Sequence, residues 1–217
     1  MRTLRIDIVS DVVCPWCIIG YKRLQAALSI LSNEVQAEIY WHPFELNPTL
    51  APGGENLREH LARKYDTTPQ ASQQARDSLI RFGQEVGFTF HFHDDMRIYN
   101  TRKAHQLLMW ANRHYKQAAL EMALFEAYFC HGLAMDEDDV LLSLAEQVGL
   151  SRSECAQVLA DESWATAVAN TEQQWLQAGI HAVPAIIIEQ RHIVSGAQTT
   201  ESLLKLLREI LSKSPTH

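Results

Sequence analysis

Two cysteines that lie three positions apart, Cys14 and Cys17, are the residues in this sequence whose types and spacing most directly suggest chemistry. They stand in the segment SDVVCPWCIIGYKRL, behind one apolar stretch and ahead of another. Such a pair can exchange electrons with disulfides, supply half of a metal site, or lie buried without any chemistry. The elements that place the two sulfur atoms must help to decide between these.

The flanking segments predict a strand before the pair and a helix after it. Residues 4–10 alternate polar and apolar side chains, as a strand does, and residues 16–31 carry an apolar stripe with helical spacing. A second strand over 35–44 completes a β-α-β unit, whose connection we expect to be parallel and right-handed. Cys14 then lies at the start of the helix, where free backbone N–H groups and the helix dipole favour a thiolate.

The position of the pair predicts a division of labour between its sulfur atoms. Pro15 suits the first helical turn, because its missing N–H would have no partner there. Cys14 would attack a disulfide, and Cys17, one turn deeper and less exposed, would resolve the mixed disulfide. Spacing and context favour this redox reading, while half a metal site and an inert buried pair remain open alternatives.

The rest of the chain predicts a helical block between two parts of one sheet. Residues 55–160 are almost purely helical in pattern, and a helix, two short strands around 189–191 and a final helix from 199 or 200 follow. The order predicts an α/β, thioredoxin-like fold (β-α-β, then α-β-β-α) with a large all-helical insertion. We assign 1–50 and 163–217 to a discontinuous thioredoxin-like domain and 51–162 to the insertion domain.

Composition narrows the function classes. The 217 residues carry a formal net charge of −7, which disfavours nucleic acid as a partner. No run of about 18 apolar residues is present, which disfavours a membrane span. The first residues read as a strand rather than a secretion signal, so we expect a cytoplasmic protein. No second ligand pair accompanies Cys14 and Cys17, so we predict no metal site, and we expect Cys130 and Cys155 to be small buried apolar residues.

Three residues outside the cysteine pair are candidates for the same site. Pro184 precedes an Ile-rich strand, and from the sequence alone a trans bond before it is favoured, since cis bonds are a minority. Asp11 is a candidate general base for Cys17, although a water-exposed Asp11 is the favoured interpretation. His181 is a candidate neighbour of the thiolate, against the simpler interpretation of a polar loop residue.

The motifs VVCPWC and VPAIII, about 170 residues apart around a helical block, resemble the DsbA-like branch of the thioredoxin superfamily. Segments such as WHPFELNP, NTRKAHQLLMWA and GIHAVPAIIIEQRHIVSGAQ extend the resemblance over nearly the whole chain, and it is most similar to the FrnE-type dithiol–disulfide isomerases. The resemblance implies a nucleophilic Cys14, a resolving Cys17, and a cis-proline loop at Val183–Pro184 that faces them and pairs with an extended substrate. It also implies an apolar, substrate-facing role for Trp16, which competes with the interpretation of an ordinary half-exposed aromatic.

The predicted function is a thiol–disulfide oxidoreductase or isomerase acting on thiol- or disulfide-containing peptides, proteins or small molecules. We expect no cofactor, with glutathione as a candidate reductant or substrate. In a reducing cytoplasm the pair would rest as a dithiol, which favours reductase or isomerase work.

One alternative is a glutathione-dependent isomerase or transferase, similar to kappa-class glutathione transferases and 2-hydroxychromene-2-carboxylate isomerases. Another is a binding module without redox cycling. The sequence leaves the oligomeric state open.

Overall fold

The computed structural model describes residues 1–213, and outside the helical block the order of its elements is the predicted one. Its strands are β1 (Arg2–Ser10), β2 (Val35–Pro43), β3 (Glu55–Asn56), β4 (Arg97–Ile98), β5 (Ala185–Ile188) and β6 (His192–Ser195). Its helices are α1 (Pro15–Ile30), α2 (Leu57–Tyr65), α3 (Pro69–Glu85), α4 (Arg102–Asn112), α5 (Gln117–His131), α6 (Asp138–Gln147), α7 (Arg152–Ala160), α8 (Glu162–Gln177) and α9 (Thr200–Ser212). The predicted α/β, thioredoxin-like fold is thereby confirmed.

A four-stranded sheet in the order β2-β1-β5-β6 combines two strands from the first part of the chain with two from the last part. β1 pairs in parallel with β2, as the predicted crossover requires, and in antiparallel fashion with β5, which pairs antiparallel with β6. Because β1 and β5 are adjacent, the chain that leaves β1 toward Cys14 and the chain that enters β5 from Pro184 meet at the same end of the sheet.

Local chemistry explains several helix starts. The Asn56 side chain accepts hydrogen bonds from the backbone of the first turn of α2, and Thr68 does the same for α3, with Pro69 in the first helical turn. Thr199 caps α9 in the same way.

The helical block differs from its prediction in one respect. Two-residue strands β3 and β4 pair within it, so it is not purely helical. The segment 88–92 forms neither helix nor strand; instead Phe88, Phe90 and Phe92 pack around Phe129 of α5. Side-chain packing holds this segment where no regular backbone ladder forms.

The side chains of β1 from Ile6 to Ser10 are all buried, so both faces of this central strand are covered. α1 packs against α9, whereas α4 and α8 pack on β2. The domain bounds remain a prediction, and residues 214–217, which the predicted second segment and final helix reach, lie outside the described part of the chain. Between residues 1 and 213, no helix is long and apolar enough to cross a membrane.

Candidate active site

Cys14 occupies the N-cap position of α1, with Pro15 in the first helical turn. Its backbone is extended, its N–H donates to Asp11 O at 2.9 Å, and its carbonyl accepts from the N–H of Cys17 at 3.0 Å. The side chain is 4% exposed and lies at the edge of a cleft. The sequence-based placement of Cys14 at the start of the helix therefore agrees with the structure.

Cys17 lies behind Cys14 and has no exposed surface. Burial raises the pKa of the Cys17 thiol well above its usual value, and the neighbouring Cys14 adds to the rise. Hydrogen bonds from the Asp11 backbone and the Ser10 side chain work against that rise. A thiolate at Cys17 thus has local partners but needs a group to take its proton.

The loop before β5 completes the site from the far end of the chain. The Val183–Pro184 peptide bond is cis, which corrects the trans bond that the sequence alone favours and agrees with the family resemblance. Cys14 Sγ lies 3.8 Å from the carbonyl oxygen of Val183. A Cβ atom built on Gly20 would lie 3.3 Å from Pro184 Cγ, so the absence of a side chain in α1 lets the proline ring pack closely.

A buried polar cluster lies beneath Cys17 and consists of Ser10, Asp11, His105 and Glu121. Ser10 Oγ donates to Glu121 Oε1 at 3.0 Å, and His105 Nε2 lies 3.5 Å from Asp11 Oδ1. Burial raises the pKa of Glu121 to about 7, with His105 and Ser10 opposing the rise. Burial alone would lower the pKa of His105, but Asp11 and the nearby glutamates outweigh it and raise that pKa overall.

Asp11 is fully buried, so the favoured sequence-based interpretation of a water-exposed Asp11 is wrong. The reason is the helical block, whose α4 and α5 bring His105 and Glu121 against the end of β1. Asp11 Oδ2 accepts from Leu46 N at 2.8 Å, while Asp11 Oδ1 has no hydrogen-bond partner within residues 1–213.

The cleft in front of Cys14 has a volume of about 780 Å³, within the range of small-molecule sites. Trp16, Val183 and His181 line it from the thioredoxin-like part, and Trp16 is half-exposed beside Phe82. The opposite wall comes from the helical block. It includes Leu57, His60, Lys64, Arg76, Phe92 and Tyr128.

The two remaining cysteines lie elsewhere. Cys155 is buried, and burial raises the pKa of its thiol to about 11. Cys130 is half-buried rather than buried, and its Sγ donates to Thr89 O at 3.0 Å. In the described part of the chain, no group of three or more His, Cys, Asp or Glu side chains is arranged to hold a metal ion.

The sequence-based reasoning missed Ser10, Glu121 and Arg76 as neighbours of the site. The approach of His105 to Asp11 is likewise absent from the sequence-based predictions. Glu121 and Arg76 sit in helices whose patterns are ordinary, and only the packing of the block against the sheet reveals them. The available signal was a charged residue with apolar neighbours on both sides, as Glu121 has in α5.

Comparisons with known proteins agree with this fold. A family model described as a DSBA-like thioredoxin domain matches residues 5–208. The uncharacterized protein YwbO of Bacillus subtilis is 25% identical over 196 residues, covering 90% of this chain and 91% of that protein.

Two solved structures extend the comparison. The probable DsbA oxidoreductase SCO1869 of Streptomyces coelicolor superposes with a TM-score of 0.91 and 28% identity, covering 99% of this chain and 93% of that one. The cytosolic disulfide reductase DsbM of Pseudomonas aeruginosa, solved with GSH, has a TM-score of 0.66 and 17% identity over 96% of this chain and 100% of its own. At that identity the second likeness concerns the fold alone.

Proposed function

The chain belongs to the family of DSBA-like thioredoxin domains, and from that membership we propose that it is a thiol–disulfide oxidoreductase or isomerase that works through Cys14 and Cys17. The observation that carries this proposal is the position of Cys14. Its sulfur lies at the start of α1, 3.8 Å from the Val183 carbonyl, at the edge of a cleft and directly in front of a buried second cysteine.

The proposed reaction is a disulfide exchange in two steps. The Cys14 thiolate attacks one sulfur of a substrate disulfide, which forms a mixed disulfide and releases the other sulfur as a thiolate. The Cys17 thiolate then attacks Cys14 Sγ, forms the Cys14–Cys17 disulfide and releases the second substrate thiolate. The substrate gains two electrons and the cysteine pair loses two, so a thiol reductant must restore the dithiol.

The second step needs an acceptor for the Cys17 proton, and the buried polar cluster supplies candidates. Ser10 joins Cys17 to Glu121, whose pKa of about 7 suits proton exchange near neutral pH. Asp11 faces the same cluster through His105 and is proposed to modulate this transfer. His181, exposed in the cleft wall, is proposed to modulate Cys14 from the solvent side.

Substrate is proposed to bind along the loop at Val183–Pro184. An extended segment can pair with the Val183 backbone as an added strand, while the exposed Trp16 ring offers an apolar surface beside Cys14. Thiol- or disulfide-containing peptides, proteins and small molecules all have the required reactive group. No organic cofactor or metal is needed for such an exchange.

The direction of electron flow is proposed to be reduction or isomerisation. In a reducing cytoplasm, where we propose that the chain works, the glutathione pool would keep the pair as a dithiol. Glutathione is therefore the proposed reductant or a small substrate, and DsbM, solved with GSH, shares the fold.

The reduction of insulin by a dithiol tests the proposal. Cys14→Ser should abolish the protein's acceleration of this reaction, because no mixed disulfide can form. Cys17→Ser should trap a mixed disulfide at Cys14, detectable by mass, since nothing resolves it. Cys130→Ser is the matched control and should leave the rate unchanged, because that thiol lies away from the cleft.

Two results would redirect the proposal. Unchanged insulin reduction by Cys14→Ser would remove thiol–disulfide exchange as the activity. Turnover of glutathione conjugates that survives the loss of Cys17 would favour the glutathione-dependent isomerase or transferase, and peptide binding with no redox cycling would favour a binding module.

A further inference from the structure

Arg76 is a charged residue buried in the wall of the cleft that Cys14 borders. It lies in α3, and its side chain is only 9% exposed. Its Nη1 atom lies 3.3 Å from Asp94 Oδ1, whereas its Nε and Nη2 atoms are buried and have no hydrogen-bond partner within residues 1–213. One edge of the guanidinium group is therefore satisfied and the other is free.

The carboxylate that pairs with Arg76, that of Asp94, is shared with a second arginine. Asp94 Oδ1 also accepts a 2.6 Å hydrogen bond from Arg58, and the Asp94 side chain is 77% exposed, so water screens its charge. Arginine keeps its charge at physiological pH, and a buried charge without a full set of partners is costly. The free edge of Arg76 thus calls for an acceptor from outside the described chain.

The geometry of the free edge selects the kind of acceptor. Nε–H and the adjacent Nη2–H point in parallel, and this fork binds the two oxygens of a carboxylate in a bidentate manner. A second cation, Lys64, lines the same cleft and donates to Leu46 O and Asn47 Oδ1, which are uncharged oxygens. Glu45, the acid among the described lining residues, already accepts from Arg102.

We propose that Arg76 determines substrate specificity by binding a carboxylate of a low-molecular-weight disulfide whose sulfur meets Cys14. This inference rests on the proposed function and adds the substrate class to it. Cys14 and Arg76 line one cavity of about 780 Å³, which is within the size range of small-molecule sites. Its apolar lining, from residues such as Leu79 and Phe92, suits the carbon skeleton between the carboxylate and the sulfur.

A matched pair of chromogenic disulfides tests the proposal in a single turnover. Dithiodinicotinic acid carries a carboxylate on each ring, and dithiodipyridine has the same reactive disulfide without it. The reduced protein loses two electrons to either probe and forms the Cys14–Cys17 disulfide, and both thiopyridine products leave as absorbing species. No added reductant is needed, and the two rate constants are read from the same absorbance change.

Arg76→Gln should slow the reaction with the carboxylate probe roughly 10- to 100-fold, the effect of one lost charge-assisted pair. Its rate with dithiodipyridine and its rate of insulin reduction should stay within about twofold of the wild type. Arg76→Lys keeps the charge but not the fork, so its rate with the carboxylate probe should lie between those of the wild type and Arg76→Gln. Arg81→Gln, on an exposed position of the same helix, is the control and should change neither rate.

Three results would overturn the proposal and leave the proposed function standing. The first is an equal rate for the wild type and Arg76→Gln with the carboxylate probe. The second is an equal fall in the rates of Arg76→Gln with both probes. The third is an Arg76→Gln variant that does not fold together with a wild-type rate for Arg76→Lys. Failure of the wild type to reduce either probe or insulin would instead remove the proposed function. Thermal unfolding of each variant separates a lost carboxylate contact from a lost fold.

Discussion

Asp7 lies in β1, and Asp11, four residues later, lies just beyond the end of that strand. Both side chains are buried, yet their surroundings differ. Both oxygens of Asp7 accept 2.8 Å hydrogen bonds from Arg5, and His42 Nε2 lies 2.8 Å away as well. Burial would raise the pKa of Asp7, but these bonds from Arg5 and His42 lower it overall. Asp11, at the cysteine end, has one oxygen without a hydrogen bond in the described structure.

The two regions show that buried aspartates can have different roles. The Asp7 carboxylate is paired with Arg5 and His42 inside the chain, so its removal leaves both of them without that partner and destabilises the fold. Around Cys17, Glu121 is buried with a pKa raised to about 7, and Arg76, which lines the same cleft as Cys14, has two nitrogen atoms without a hydrogen-bond partner among residues 1–213. A protein keeps incompletely paired groups where a proton or a ligand must come and go.

Replacing Asp7 tests the region in which the buried carboxylate is fully paired, and it should have the largest effect on the free energy of unfolding. Asp7→Asn should lower the free energy of unfolding by about 2–4 kcal/mol at pH 7, because Arg5 and His42 lose their charged partner. Chemical denaturation measures this loss. Insulin reduction by the folded fraction should be unchanged, and Glu38→Gln, exposed on β2, should be near neutral.

The pH dependence of this loss has a definite sign. Since the folded-state pKa of Asp7 is lowered, its contribution is present above the unfolded value near 3.8 and is lost as the pH falls through the folded pKa. A difference between wild type and Asp7→Asn that grew toward acid would contradict this.

Replacing Glu121 tests the region around Cys17 and should change the pH dependence of both stability and activity. The folded state holds this proton up to about pH 7, whereas the unfolded chain releases it near 4.5. Wild-type stability should therefore fall, relative to Glu121→Gln, as the pH rises from about 5 to 8, by at most about 3 kcal/mol. The variant is thus expected to be the more stable protein at pH 8.

The same variant should lose activity. If Glu121 accepts the Cys17 proton, insulin reduction by the wild type rises as the pH passes about 7, and Glu121→Gln should run about tenfold slower without that rise. Glu126→Gln, exposed in the same helix, is the control for both measurements. A Glu121→Gln variant that was less stable than the wild type at pH 8 but fully active would contradict both expectations. Glu121 would then serve the stability of the fold, as Asp7 does, and not the reaction.

The smallest effect is expected at Gly20. A Cβ there would lie 3.3–3.4 Å from Pro184 and Ala197, so a neighbour must shift by a few tenths of an ångström. In Gly20→Ala, a helix-propensity gain of about 1 kcal/mol offsets this strain, and stability should barely move. The insulin reduction rate should fall about threefold, because Pro184 moves relative to Cys14. Ser29→Ala, exposed in α1, should leave the rate intact.

The chain's order of elements and its cysteine pair were predictable because both are local signals. Strand alternation, the helical stripe of α1 and the cap at Thr68 depend on neighbouring residues. The burial of Asp11 was not predictable, since it depends on Glu121 and His105, about 100 residues away, packing against the end of β1. Arg76 escaped for the same reason, because its free edge exists only where α3 meets the cleft.

The cleft is assembled from separate stretches of chain, and this has a consequence for inheritance. The sulfur atoms and the Val183–Pro184 loop belong to the two ends of the chain, whereas α2 and α3 in between furnish much of the opposite wall. Genes that diverge only in these two helices can change which compounds their products admit while they keep the same reactive pair. Recombination that exchanges α2 and α3 between relatives is therefore a direct route to new preferences.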